Sequence, residues 1–203
     1  GAGREYDAAG LAGIFEALRE HGCHNWNLVS PTPWLPQIRE ALEAARRLGT
    51  VLPVVYNTSG YESVPTLRAI ADWADIYLAD LRYARSDSAK EGSGTADYVE
   101  TAREALREMW RQTGPLRTDA DGVATRGTIC RLLILPGLAE EAVANLEWLV
   151  REIGTGIAVS VMAQYWPAHR AAGCAPWNRE ITRQEYDMVA EAFDTMNFAL
   201  GWI

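Results

Sequence analysis

Cysteine is scarce. Cys23, Cys130 and Cys174 are the three thiols in 203 residues, and they are far apart. An odd number of widely separated cysteines implies no disulfide framework. No pair has the close spacing of a zinc or iron–sulfur site, so each reads as a small apolar residue rather than a ligand. Positive charge is also short, with 19 Lys plus Arg against 27 Asp plus Glu and a net charge of −8. That balance argues against a nucleic-acid binder, which carries a basic face. No apolar run approaches the roughly 18 residues of a membrane span, and no Lys-rich start leads into an apolar stretch, so no signal peptide is read. His21, His24 and His169 lack metal-ligand spacing, and no metal-binding residue is assigned. Neither a Gly-rich phosphate loop nor a Ser nucleophile elbow occurs. What remains is a soluble cytoplasmic protein of one domain spanning 1–203. Its 48% apolar residues are enough for a substantial core.

Helix and strand patterns alternate along the whole chain. Asp7 can cap a first helix whose apolar stripe is Leu11, Ile14, Phe15 and Leu18. Trp26 to Val29 reads as a strand, Pro36 to Arg47 as a helix, and Val51 to Tyr56 as a strand closed by Asn-Thr-Ser-Gly. Ser63 and Pro65 open a helix running through Trp73, and Ile76 to Leu78 is the next strand. A polar loop with Gly92, Ser93 and Gly94 precedes a helix begun by Asp97. Thr118 to Gly127, containing Asp121-Gly122, suggests a turn or hairpin. Ile129 to Leu135 is nearly continuous in apolar residues, the mark of a strand covered on both faces. Leu138 to Ile153 is an amphipathic helix and Ile157 to Met162 a strand. Thr182 and Glu185 have capping-box spacing before a last helix.

A helix followed by five strand–helix units predicts an α/β fold with a parallel sheet and right-handed crossovers. A curled sheet of barrel type and an open doubly wound sheet both satisfy that order. The first helix has no strand before it, which in such a repeat leaves a sheet edge unpaired.

Ligands in parallel α/β folds bind at the C-terminal strand ends. The loops there are Ser30-Pro31-Thr32-Pro33, Asn57-Thr58-Ser59-Gly60-Tyr61, Asp80-Leu81-Arg82-Tyr83, Pro136-Gly137 and Gln164-Tyr165-Trp166-Pro167. Taken singly each is an ordinary turn, a solvated pair or a plug. Their coincidence at equivalent strand ends makes them candidates for holding a small polar ligand.

The strand-end segments also carry a resemblance. Gly22-Cys23-His24-Asn25-Trp26-Asn27-Leu28-Val29 is followed by Pro31-Thr32 and then by Leu52 to Tyr61, read Leu-Pro-Val-Val-Tyr-Asn-Thr-Ser-Gly-Tyr. Asp75 to Leu78 with Asp80-Leu81-Arg82-Tyr83, Leu135-Pro136-Gly137, Met162-Ala163-Gln164-Tyr165 and Arg179-Glu180-Ile181-Thr182 complete the series. In number, order and spacing these segments resemble radical S-adenosylmethionine proteins similar to pyruvate-formate-lyase activating enzymes. The match runs from about Gly3 to the last helix.

The resemblance implies a partial TIM-like open (β/α)6 barrel of parallel strands that lacks its first strand. It implies a radical S-adenosylmethionine oxidoreductase, a homologue of glycyl-radical-enzyme activating enzymes. In such enzymes a [4Fe–4S] cluster reduces the bound cofactor to a 5′-deoxyadenosyl radical that abstracts hydrogen. The implied partners are a glycyl-radical enzyme or another protein substrate, and an electron donor. By position, Ser30 to Thr32 would lie beside the methionine end of the cofactor, and Asn57 and Ser59 beside its ribose. Asp80 and Arg82 stand where relatives have a lysine-bearing segment, Tyr165 and Trp166 where they have Tyr-His, and the chain after Leu135 would meet the adenine. The family's CxxxCxxC segment is missing, so S-adenosylmethionine and the cluster are expected in a longer parent protein, with this chain a C-terminal portion that is inactive alone. Pro33, Arg82 and Trp166 depart from the histidine, lysine and arginine usual in the most similar group. The alternative is a cluster-free barrel that binds a nucleoside-like or other small ligand without radical chemistry.

Overall fold

A computed structural model describes residues 4–203. Asp7 caps α1 (Ala8–Glu20) by accepting the Gly10 N–H at 2.7 Å. This helix buries Ala12 and Phe15, whereas Leu18, expected on the same stripe, is exposed. The reason is that α1 is an outer helix packed against α2 (Leu35–Arg47), so only a narrow stripe is covered. Phe15 stacks on Trp26 of β1 (Trp26–Val29) with centroids 4.7 Å apart, and the Trp26 indole N–H donates to the Phe15 carbonyl.

The elements continue as β2 (Val54–Thr58), α3 (Val64–Ala69), β3 (Ile76–Asp80), α4 (Ser86–Ser93), α5 (Tyr98–Thr113) and β4 (Arg117–Thr118). Then come β5 (Ala124–Leu133), α6 (Ala139–Glu152), β6 (Ala158–Met162), α7 (Arg183–Thr195) and β7 (Leu200–Trp202). Six strands form one parallel sheet in the order β1-β2-β3-β5-β6-β7, and short β4 pairs antiparallel with β5. Every crossover steps the same way along the sheet. Right-handed connections then place all the crossover helices on one face. The other face carries no helix, and β1 and β7 are its two edges.

The two faces are legible in the burial along β5. Thr128, Cys130 and Leu132 are fully buried beneath the helices, while Ile129, Arg131 and Leu133 alternate with them and are only half-buried. The main core lies on the helix side around Tyr56, Tyr77, Leu67, Met109, Leu132 and Leu146.

Several expectations need correction, the first being the helix opened by Ser63, which ends at Ala69 rather than running through Trp73. The β2 ladder starts at Val54, not Val51, because Pro53 has no N–H to give. It consequently runs on through Asn57 and Thr58, which are strand residues rather than a turn. The Gly92–Gly94 stretch closes a helix, α4, with Gly94 as its left-handed C-cap. Its start is fixed by Glu141 of α6, which accepts the Ala84 and Arg85 N–H groups at 2.8 and 3.0 Å. β5 begins at Ala124 because its first residues pair with β4 across the turn at 119–122. Finally, β7 has no periodic signature in three residues, yet it extends the sheet beyond β6. The Thr182–Glu185 capping box forms as its spacing requires.

Candidate functional site at the strand ends

Parallel pairing brings Asn57, Leu78 and Ile129 side by side, and one step further along places Asp80 beside Arg131 and Ser160. All of these lie on the helix-free face. Within this row the polar side chains join. Arg131 donates through Nε to Asp80 Oδ1 at 2.7 Å and through Nη2 to Asn57 Oδ1 at 2.8 Å. The Asn57 amide donates in turn to Asn27 Oδ1 at 3.2 Å. Arg82 closes on the other oxygen of Asp80, with Nη2 at 2.6 Å and Nε at 3.2 Å.

Asp80 is thus a buried carboxylate, 8% exposed, with a guanidinium on each oxygen. Two guanidinium charges against one carboxylate leave the cluster with one surplus positive charge. In a protein of net charge −8 this is a local reversal of sign. Burial by itself would lower the Arg82 pKa, but the hydrogen bonds and charge of Asp80 more than reverse that, so the guanidinium is held above its ordinary value. An anionic ligand group, a carboxylate for example, is what such a cluster can accept.

Behind the network the phenol of Tyr98, at the start of α5, ties two strand-end loops together. It donates to the Ser59 carbonyl at 2.8 Å, lies 3.2 Å from the Asp80 carbonyl, and accepts the Arg82 N–H at 3.3 Å. Burial pushes its pKa up, which keeps it a neutral donor. Gly60, at φ +86°, runs so close beneath that a Cβ would strike the Asp80 carbonyl oxygen.

The sequence-derived candidates divide accordingly. Asn57, Asp80 and Arg82 meet through Arg131. The Ser30 N–H donates to the Asn57 carbonyl at 2.8 Å, with Ser30 itself at φ +50°, so it is joined by backbone only. Ser59 takes part through its carbonyl. Thr32 belongs to a second hydroxyl cluster, donating to Glu62 at 2.7 Å. Tyr165 donates to the Trp177 carbonyl at 2.7 Å, and Trp177 packs edge-on against Tyr83, which packs against Tyr98. Trp166 stands apart, 70% exposed.

Arg131 was not among those candidates, although it bridges them. Its signal was available, because it is the one charged residue in the apolar run 129–135. Glu62 was also missed. The cysteines do not converge on this site: Cys130 is fully buried on the helix side, Cys23 is half-buried and Cys174 exposed. No group of three His, Cys, Asp or Glu side chains suited to a metal occurs among the described residues. No helix among them is long and apolar enough to cross a membrane. A concavity of about 500 Å³ runs along the solvated face of α7, past Asp187 and Glu191, away from the network.

No family model matches the chain. It is similar to an uncharacterized protein of Methanocaldococcus jannaschii, MJ0674, with 22% identity over 195 residues. The match covers 96% of the chain and 53% of that protein, so the chain spans about half the length of the curated relative it matches.

Proposed function

We propose that this chain is the cofactor-holding wall of a radical S-adenosylmethionine enzyme similar to pyruvate-formate-lyase activating enzymes. The observation that carries this reading is the network Asn27–Asn57–Arg131–Asp80–Arg82. Four neighbouring strands contribute one residue or one strand-end loop each to a polar, net-positive cluster on the face without helices. Strands that follow one another in the sheet without reversal have the order that a barrel wall would have, which supports reading the helix-free face as a barrel interior. β1 and β7 are both edges, so on this reading the barrel would be an open one.

The residues fit one of the two groups this reading calls for. For the nucleoside and amino-acid parts of S-adenosylmethionine, the surplus charge at Arg82 and Arg131 suits a carboxylate, and the amide of Asn57 offers neutral hydrogen bonding. These side chains orient the ligand, and the crossover helices behind them exclude water from the far side. Arg82 and Arg131 are themselves held by Asp80, so their forks are aimed before a ligand arrives. The [4Fe–4S] cluster does not fit. Cys130 faces the helices and the other two thiols lie elsewhere, so no ligand set for iron comes from the described residues. On this reading the cluster thiolates would have to come from outside the described residues. The bound cofactors would supply one-electron chemistry leading to hydrogen abstraction. A glycyl-radical enzyme or other protein substrate and an electron donor are the partners this reading implies.

Iron and sulfide analysis of the full gene product after anaerobic reconstitution tests the reading. About four irons per chain are expected. An iron-free product would overturn the radical reading in favour of a cluster-free barrel for a nucleoside-like ligand.

A further inference from the structure

The crossover helices carry a second polar depression, on the side of the sheet opposite the Asp80–Arg131 network. It is a pocket of about 320 Å³ between α4, α5 and α6, lined by Ser86, Glu100, Arg103, Glu104, Arg107 and Trp148. Glu100, Arg103, Glu104 and Arg107 stand at i, i+3, i+4 and i+7, so α5 turns one face of alternating charge toward it. Asn145 and Trp148, three apart on α6, meet that face. Arg103 donates through Nη2 to Asn145 Oδ1 at 3.2 Å, and the guanidinium carbons of Arg103 and Arg107 each lie 5.1 Å from the Trp148 ring centroid.

The arginines around this pocket differ in what holds them. Arg107 donates to Glu152 Oε2 at 2.9 Å and Arg151 to its Oε1 at 3.0 Å, while Arg85 pairs with Glu141 at 3.0 Å. Arg103 has no carboxylate within 4.0 Å among the described residues. Its acceptor is the neutral Asn145, and its Nε is buried without a hydrogen-bond partner. The Asn145 amide nitrogen is in the same condition, on a residue that is 0% exposed. Both unmet groups are N–H donors, so what this cluster lacks is an acceptor. Burial lowers the Arg103 pKa, and the positive charges of Arg151 and Arg107 lower it further. Arg39, Arg82, Arg111 and Arg179, each on a carboxylate, are held above the ordinary value instead.

We infer that this pocket binds a small hydroxy acid, its carboxylate on the Arg103 guanidinium and its hydroxyls toward Glu100 and Glu104. A guanidinium matches the two oxygens of a carboxylate, and a negative charge placed there offsets the repulsion from Arg107 and Arg151. Nε and the Asn145 amide lie beneath the surface, so the carboxylate meets the outer nitrogens of Arg103. Trp148 and Asn145 back that side chain and hold it in place before a ligand arrives. Glu100 and Glu104 are exposed and make no ion pair with another described residue. As carboxylates they accept hydrogen bonds and repel a second negative charge, which selects a hydroxyl-bearing monocarboxylate over a phosphate dianion. The volume is at the small end for ligand pockets and suits a molecule of a few carbons. The site is independent of the cofactor reading given above.

The test titrates the 203-residue chain with glycerate, glycerol and inorganic phosphate by calorimetry at constant ionic strength. Glycerate is expected to bind with a Kd of about 1 mM or tighter, phosphate about tenfold more weakly or worse, and glycerol not at all. Arg103→Gln should weaken glycerate about tenfold or more. That change also removes packing against Trp148, so a second variant alters exposed positions only. Glu100→Gln/Glu104→Gln should strengthen phosphate about fivefold or more, because the repulsion at the rim is gone. No glycerate binding by the wild type, phosphate as tight as glycerate, or a glycerate affinity unmoved by Arg103→Gln would overturn the proposal. So would a phosphate affinity unmoved by the double variant.

Discussion

Replacing Asp80 by Asn should be among the most damaging single changes on the helix-free face. The amide is nearly the same size as the carboxylate, so packing is conserved and electrostatics is isolated. In the wild type each oxygen of Asp80 holds one guanidinium, at 2.6 and 2.7 Å. In the variant two arginines converge on a neutral group that can accept on one side only. Removing one member of a buried pair costs about 3–5 kcal/mol. The arginine side chains are 40% and 24% exposed, so water relieves part of this, and about 3 kcal/mol is expected. For a chain of this length that corresponds to a melting temperature lower by about 6–12 °C. Arg82→Gln should cost about 1 kcal/mol or less, because the better buried Asp80–Arg131 pair survives. The double variant Asp80→Asn/Arg82→Gln should be more stable than the sum of the two singles, since one of the two opposed charges has left. Urea unfolding followed by circular dichroism measures all three. An Asp80→Asn variant within about 0.5 kcal/mol of wild type would refute the bridging role.

Three further outcomes follow from other parts of the fold. Hydrogen bonds from Arg111 hold Glu108 down at about 2, and those from Arg179 hold Glu185 at about 2. Both values are depressed relative to the unfolded chain, so their stabilisation is complete above roughly pH 4.5 and is lost as the pH falls toward 2. In pH-dependent urea midpoints, Glu108→Gln and Glu185→Gln should each flatten this acid limb; an unchanged slope would contradict the assignment. Gly60→Ala forces a Cβ against the Asp80 carbonyl at a left-handed φ and should cost more than about 2 kcal/mol, read as a shifted thermal midpoint. Thr182→Ala removes one arm of the capping box on α7 and should cost about 1 kcal/mol, with thermal unfolding as the check.

What could be read from the sequence was mostly what local rules govern. The capping residues Asp7, Ser63 and Thr182 act as their spacing requires, because a cap is decided within four residues. Asn57, Asp80 and Arg82 were found because strand order alone tells where the C-terminal ends gather. Arg131 was not, because the run 129–135 reads as apolar on both faces. Its alternation appears only once the helices are seen to cover a single side. The helix α4 was read as a loop because Gly92 and Gly94 signal one, while the group that fixes its start, Glu141, lies 57 residues from Ala84. Strand β7 carries no pattern in three residues and owes its place to pairing with β6.

The central claim is that the Asp80–Arg131 network holds the cofactor of a radical enzyme. It is tested most directly by the yield of 5′-deoxyadenosine when the reconstituted, chemically reduced parent protein is given S-adenosylmethionine, compared between wild type and Arg131→Gln. The account predicts cleavage by the wild type and a loss of about tenfold or more in the variant at limiting cofactor. No cleavage by an iron-loaded wild type, or equal cleavage by both proteins, would contradict it.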